Sequence, residues 1–339
     1  MSSAIKSLKS LGFPWITQDP FLFCVHHVDH YPAGNENMGP SASLTGRNIG
    51  QDFDASQRWR MYHGHKVPGF PAHPHRGFET VTVAAKGFID HSDSLGAAGR
   101  FGEGDVQWVT AGGGVQHCEM FPLLKKDADN PLELFQIWLN LPKSKKMARP
   151  YFSMLWADKI PSHVTEGADK GKTTVRIIAG SIGKLRAPDP APDSWAADPS
   201  HEVAIWTIKM EPGSAWEIPA ASPNVNRSLY FYEGESVIVD DQTLNRPSAI
   251  ELVPDVPVTL KNGNVPSSFL LLQGVPIGEP VVQYGPFVMN SQSEIQQAMR
   301  EYQQTEFGGW PWSSYEHVHA RERSRFARYP DGREEVKEL

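Results

Sequence analysis

Histidines are the residues of this 339-residue chain best suited to metal chemistry, and they are unevenly distributed. Nine of the thirteen lie before residue 120. Three pairs have the spacing His-x-His: His63/His65, His73/His75 and His317/His319. Residues i and i+2 of a β-strand project to the same face, so such a pair can offer two imidazoles to one ion. We therefore expect a metal site, if there is one, in the first half of the chain.

The pair His73/His75 leads directly into a predicted strand, Phe78–Ala85. About forty residues later, at the end of a second predicted strand, His117 and Glu119 also stand at i and i+2. If both segments reach one cavity, they supply three imidazoles and one carboxylate, which suits a divalent first-row transition metal. The alternative is that these histidines bond to the backbone in turns and that the cavity is packed core.

Other candidate ligands are less specific. Glu79 shares strand parity with His73 and His75, so it is a fourth ligand, a group that orients an imidazole, or a surface carboxylate if Gly77 bulges the strand. We favour the orienting role. The pair His63/His65 lies in a predicted loop, and His317/His319 lies in a charged tail that we expect to be solvated.

Composition excludes several classes of protein. The 32 Lys and Arg residues against 39 Asp and Glu residues give a net charge of −7, which argues against nonspecific nucleic-acid binding. Two cysteines cannot build a disulfide framework. No segment approaches the ~20 apolar residues of a membrane span, and no secretory signal is visible. We expect a cytoplasmic protein with no direct contact to membrane or nucleic acid.

Short strands between turns dominate the predicted structure. The 29 glycines and 28 prolines are dispersed along the chain, and predicted strands recur every eight to twelve residues, which indicates an all-β sandwich or barrel. The segment Leu229–Gly234 echoes Val81–Gly87, a weak repeat that suggests two copies of one barrel. The pattern Ser291-Gln-Ser-Glu294 predicts the start of a helix near the end of the chain.

Two longer motifs carry a family resemblance. The segments Pro71–Thr82 and Gly104–Met120 resemble the signature of the pirins, a branch of the cupin superfamily, and the similarity spans about residues 12 to 305. The resemblance implies two tandem cupin (jelly-roll) β-barrels followed by a short helix and tail. The corresponding domains are residues 1–140 with a metal site, 141–290 without a metal, and 291–339 as the C-terminal helix and charged tail.

The resemblance also implies a ligand set and a metal. The pirin ligands fall on His73, His75, His117 and Glu119, and the implied metal is Fe(II), although the donors also suit Mn, Co, Ni or Cu. In the second barrel, residues 218–227 occupy the place of the His-x-His motif without containing a histidine. We therefore expect no metal there.

Two activities are associated with pirins. In the first, the protein resembles bacterial pirin-like quercetinases, which open a flavonol ring with O2 and release CO. Glu119 would be the catalytic base, with Glu79 the second candidate. In the second, the site is an iron-dependent redox sensor that binds a transcription factor or a metabolic enzyme. We favour the dioxygenase, with a flavonol-like aromatic substrate, and expect a monomer.

Overall fold

Residues 4–167 and 171–338 are described by a computed structural model, and β-strands dominate them. The first half of the chain contains β1 (Ile5–Ser10), β2 (Phe21–Tyr31), β3 (Gly69–His75), β4 (Phe78–Lys86), β5 (Phe88–Asp93), β6 (Ala98–Gly102), β7 (Val106–Thr110), β8 (Val115–Met120), β9 (Asn130–Asn140), β10 (Tyr151–Leu155), β11 (Ser162–Glu166) and β12 (Lys172–Ala179).

The second half continues the same pattern of short strands. It contains β13 (Ser181–Ile182), β14 (Leu185–Arg186), β15 (Ala204–Met210), β16 (Ala215–Ile218), β17 (Asn226–Glu233), β18 (Val237–Val239), β19 (Gln242–Leu244), β20 (Ser248–Leu252), β21 (Val258–Asn262), β22 (Ser267–Gly274), β23 (Val282–Tyr284), β24 (Phe287–Met289), helix α1 (Gln292–Thr305), β25 (Arg325–Arg328) and β26 (Glu334–Lys337). Short 3₁₀ helices lie at Lys143–Lys145, Ala157–Lys159, Trp195–Ala197, Pro199–His201 and Glu306–Gly308.

The described chain divides into two units, which we call the first and second barrels. The first barrel is made of His26–Gln136, Lys143–Ala157 and Glu279–Leu339. The second barrel is made of Met1–Val25, Ile137–Pro142 and Asp158–Gly278. The predicted domain boundaries follow the order of the chain, whereas each unit is assembled from three separate segments.

The two barrels share one strand topology. One sheet of the first barrel has the order β10-β7-β4-β9-β2, and its counterpart in the second barrel runs β1-β20-β17-β22-β15 before it continues to β12 and β11. The opposite sheets contain β6-β5-β8-β3 and β19-β18-β21-β16. The predicted repeat falls on β4 and β17, which occupy equivalent places, and the expectation of two tandem cupin barrels is confirmed.

Each barrel has its own hydrophobic core. In the first barrel, every residue of β7 and β8 is buried, so both faces of these two strands are covered by other parts of the protein. In the second barrel, β22 is likewise buried over its whole length, as its run of leucines predicts. The rigid strands that carry the candidate site therefore lie inside a packed structure.

The predicted C-terminal helix is confirmed, and its capping signal is used. The Ser291 side chain accepts a hydrogen bond from the Glu294 N–H at 3.3 Å, as expected of an N-cap residue. Ile295 and Ala298 are the helix residues that are buried. No helix in the described residues is both long enough and apolar enough to cross a bilayer.

The expectation of a solvated tail is wrong for the residues around β25. This strand pairs antiparallel with β6, and Phe326 and Ala327 are fully buried. The buried Arg100 guanidinium holds the segment before β25 by donating hydrogen bonds to the carbonyls of His319, Ala320, Arg321 and Arg323. The charged composition of this segment does not reveal that it packs against the first barrel. The reason is that the segment is held through its backbone carbonyls and through one buried aromatic ring.

We predict that Phe326→Ala lowers the free energy of unfolding by about 3–5 kcal/mol, because the substitution leaves a cavity in a buried site. Chemical denaturation followed by tryptophan fluorescence measures this change. Val336→Ala on the neighbouring strand β26 is the control, since Val336 is 64% exposed. Equal stability of the two variants would contradict the placement of β25 in the first barrel.

Candidate metal centre

Three histidines of the first barrel converge on one point. His73 and His75 come from β3, and His117 comes from the antiparallel neighbour β8, where it is the register partner of His73. The strand spacing predicted from the sequence therefore places the two β3 imidazoles on one face, with His117 opposite them. One ring nitrogen from each of the three lies within 4.8 Å of the others.

The imidazoles of His73 and His117 are poised as neighbouring ligands. Their Nε2 atoms are 3.1 Å apart. Two nitrogens at right angles around an ion, each at a bond length of ~2.1 Å, would be separated by ~3.0 Å. The His73 Nδ1 atom lies 2.8 Å from the Pro71 carbonyl and donates its proton there, which leaves the Nε2 lone pair directed at the cluster.

Burial keeps these histidines neutral. It lowers the pKa of His73 to about 4, helped by repulsion from His63 and His91 and opposed by the bond to Pro71. Burial, and then repulsion by neighbouring imidazoles, lowers the pKa of His75 and of His117 well below the usual value. Because a metal ion binds the neutral imidazole, the cluster is ready for a cation at neutral pH.

Glu119 brings a carboxylate to the edge of the histidine cluster. Its Oε2 atom is 3.8 Å from His117 Nε2, and Gln136 Nε2 donates to it at 3.3 Å. The Thr82 hydroxyl lies 3.0 Å from Glu119 Oε1 and 2.5 Å from Gln136 Oε1, so its single proton serves one of the two acceptors. Burial raises the pKa of Glu119, while His91 and the bonds from Thr82 and Gln136 oppose the rise.

The turn between β3 and β4 separates Glu79 from the histidines. Gly77 has φ of +87°, and a Cβ there would lie 1.9 Å from the Val288 carbonyl oxygen, so only glycine fits. Strand parity does not continue across this turn. On one face of β4, Phe78 contacts His75 and Thr82 contacts Glu119. Because side chains alternate along the strand, Glu79 lies on the other face, where it accepts a hydrogen bond from Thr110 at 2.7 Å. This position argues against the predicted orienting role.

The remaining histidine pairs do not belong to the group of three converging imidazoles, although His63 is close enough to repel His73. His65 in its predicted loop bonds Glu316 at 2.7 Å. The expectation that His319 is solvated is wrong, because it is 6% exposed and its Nε2 bonds the His91 carbonyl at 3.0 Å. The charged sequence around His319 predicts exposure, but the residue is buried because Arg100 binds the backbone of this segment.

Sequence reasoning missed three side chains beside the cluster. Thr82 and Gln136 hold the Glu119 carboxylate, and His91, which pairs with Glu119 in register, packs 5.4 Å from the His117 ring while its Nε2 bonds Asp93. One signal was available for Gln136, since it is a polar residue within the apolar run of β9, and a buried polar side chain usually has a specific partner. Thr82 ends one of the two segments that carry the family resemblance and His91 lies between them, but the spacing of neither residue marks it as a partner of the cluster.

The donor set fits a divalent transition metal. His73 shows the arrangement typical of a metal-bound imidazole, with one nitrogen donating to a backbone carbonyl and the other facing the cluster. His73, His75, His117 and Glu119 would hold the ion. Three neutral imidazoles and one carboxylate leave open positions in a six-coordinate site, which suits Fe(II), Mn, Co, Ni or Cu.

Comparison with known proteins decides the family. A family model described as Pirin matches residues 17–139, and one described as the Pirin C-terminal cupin domain matches residues 205–308. A pirin-like protein of Solanum lycopersicum is 38% identical over 276 residues, covering 79% of this chain and 88% of that protein. The chain belongs to the pirin family.

Two further relatives of this pirin have names that refer to quercetin. A Pseudomonas aeruginosa protein, named provisionally as quercetin 2,3-dioxygenase PA2418, is 34% identical over 256 residues, which cover 76% of this pirin and 82% of the relative. The crystal structure of a quercetin 2,3-dioxygenase from Acinetobacter baumannii superposes with a TM-score of 0.70 at 25% identity, covering 90% of this pirin and 98% of that chain.

We predict that His117→Gln reduces the content of bound divalent metal at least tenfold, because it removes the imidazole that faces His73. Elemental analysis of the purified pirin by inductively coupled plasma mass spectrometry measures this. His65→Gln, in the exposed loop, is the control and should retain the metal. Unchanged metal content in the His117 variant would contradict the site.

We predict that the metal-free pirin loses stability as the pH falls from 6.5 towards 4. In this range an unfolded histidine, with a pKa of about 6.5, binds a proton that buried His73, with a pKa of about 4, does not. The unfolded state is therefore favoured by up to about 1.4 kcal/mol per pH unit for each such histidine. Denaturation midpoints across this pH range measure the slope. In His73→Gln the slope should be shallower, and equal slopes would contradict the pKa assignment.

Proposed function

We propose that this pirin is a metal-dependent dioxygenase that resembles quercetin 2,3-dioxygenase, opening a flavonol ring with O2 and releasing CO. The observation that carries the proposal is the convergence of His73, His75 and His117 beside the Glu119 carboxylate. The relatives with quercetin in their names support the choice of substrate class. We propose Fe(II) as the ion.

The ion would supply Lewis acidity towards the hydroxyl and ketone oxygens of the flavonol, together with redox chemistry towards O2. The protein supplies the ligands, excludes bulk water and handles the proton. Burial of the imidazoles keeps them unprotonated, so they hold the cation without competition from protons at neutral pH.

We assign acceptance of the flavonol hydroxyl proton to Glu119. Its carboxylate is fixed by the Gln136 amide at the edge of the histidine cluster, and a positioned carboxylate can act as a general base. Glu79, the second candidate from the sequence, lies on the face of β4 that points away from Glu119 and the histidines. The geometry therefore favours Glu119 for the proton transfer.

Aromatic rings next to His73 suit a flat substrate. The Phe70 ring lies 6.4 Å from the His73 ring, and His63 and Phe53 continue this group at 5.8 and 6.4 Å from Phe70. His73 is the partly exposed member of the three converging histidines, so the rings flank its accessible side. A flavonol that reached His73 from this side would pack against Phe70.

We predict that the iron-loaded pirin consumes quercetin in air and that Glu119→Gln lowers the rate at least 100-fold, because the neutral amide cannot accept the hydroxyl proton. Loss of the flavonol absorption band measures turnover, and a gas detector measures CO. Glu322→Gln, an exposed carboxylate in the same barrel, should keep the full rate. Metal content is measured for both variants, so that lost binding is separated from lost proton transfer.

Two outcomes would count against the proposal. Absence of turnover with Fe, Mn, Ni, Co and Cu would reject the dioxygenase and favour the redox-sensing regulator. Full activity of the Glu119 variant with its metal retained would reject the assignment of the base while keeping the reaction.

A further inference from the structure

The second barrel contains a cavity of about 320 Å³ that is formed entirely by its own residues. This volume is at the lower end of the range of roughly 300–1,000 Å³ that is usual for small-molecule sites. The walls are mostly small or apolar side chains, including Ala187, Val203, Ala204 and Trp206. Trp206 is fixed in place because its Nε1 donates to the Ala179 carbonyl at 3.1 Å.

Arg227 brings a buried positive charge to this cavity. The residue lines the cavity, is only 2% exposed, and lies at the start of β17. Its Nε donates to Gln273 Oε1 at 2.7 Å, and its Nη1 donates to the Pro219 carbonyl at 2.8 Å. Gln273 is oriented for this bond because its own amide donates to the Glu202 carbonyl at 3.1 Å.

The Arg227 guanidinium has donors to spare. A guanidinium has five N–H groups, and the two bonds within the protein go to neutral oxygens, which leaves the Nη2 group for another acceptor. Among residues 4–167 and 171–338, no carboxylate forms an ion pair with it. Burial lowers the pKa of Arg227 to about 10, against the opposing influence of Glu202. A buried cation without a paired anion is costly, so an anionic ligand would stabilise this arrangement.

The acidic residues that line the cavity limit the charge of such a ligand. Glu202 contributes a carboxylate whose Oε2 accepts from the Ser222 N–H at 3.2 Å, and Asp198 accepts from the Ser200 N–H at 2.9 Å. A second negative charge on a ligand would be repelled by these groups. Arg186 also lines the cavity, but its guanidinium is paired with Asp189 at 3.2 Å. Apart from Ser181 and Gln273, the other lining residues are small or apolar, which favours a hydrocarbon body next to a single anionic group.

Part of the cavity wall lies at the ends of two strands that are the counterparts of β3 and β4. The strands β16 and β17 occupy the places in the second barrel that β3 and β4 occupy in the first. His75 stands at the end of β3, and Pro219 and Arg227 stand after β16 and at the start of β17. The ends of equivalent strands thus carry a neutral imidazole in one barrel and a fixed guanidinium in the other, whereas β21, the counterpart of β8, contributes no residue to the cavity wall.

We propose that the second barrel is a binding site for a small monocarboxylate with an apolar body, whose carboxylate pairs with the Arg227 guanidinium. The site is separate from the metal centre and does not depend on the dioxygenase assignment.

Isothermal titration calorimetry of the metal-loaded pirin with benzoate tests this proposal. We expect saturable binding of benzoate, at least tenfold weaker binding of the neutral isostere benzamide, and weaker binding of the dianion succinate. Arg227→Gln should weaken benzoate binding at least tenfold. Arg246→Gln, an exposed arginine of the same barrel, is the matched control and should bind as the wild type does.

Two more variants keep the result interpretable. Ala220→Trp fills the cavity from an exposed lining position, so it should abolish benzoate binding even if the Arg227 variant does not fold. His117→Gln removes a proposed metal ligand and should bind benzoate normally. The proposal would be overturned if the wild type did not bind benzoate or bound benzamide equally well. It would also be overturned if Ala220→Trp left benzoate binding unaffected or if His117→Gln lost it.

Discussion

The antiparallel pairing of β3 with β8 is the constraint on which the candidate metal centre depends. This pairing sets His117 opposite His73 and brings their Nε2 atoms to 3.1 Å, while the alternation along β3 adds His75 on the same face. The imidazoles are largely shielded from water, so they stay neutral, and a cluster of shielded nitrogen lone pairs is stabilised by a cation. Fold and proposed chemistry thus depend on the same strand register.

The structure around this pair of strands keeps it rigid. On one side, β5 pairs with β8 and carries Asp90, whose carboxylate forms a buried, two-pronged ion pair with Arg100 at 2.7 and 2.8 Å. Arg100 also binds backbone carbonyls of the C-terminal segment, and β25 then extends the same sheet. Breaking such a buried ion pair costs much free energy. Because the same guanidinium binds the C-terminal segment, that segment helps to support the sheet that holds the site.

The sequence predicted strongly periodic elements well and long-range contacts poorly. The strand β7 and the N-cap Ser291 follow from local patterns, and those patterns survive in the structure. The parity argument for Glu79 failed because one glycine with a left-handed backbone resets the alternation between β3 and β4. The burial of His319 and Phe326 was invisible because the residues that hold them, among them Arg100, lie more than 200 residues away. Local propensity cannot report a contact of that separation.

The central claim is that His73, His75, His117 and Glu119 surround one ion. Extended X-ray absorption fine structure at the iron edge of the loaded protein tests it most directly, because the method reports the atoms bonded to the metal. We predict nitrogen and oxygen neighbours with the multiple-scattering pattern of three imidazoles, and a fall to two in His75→Gln. A spectrum without imidazole scattering, or one that the His75 substitution leaves unchanged, would contradict the account.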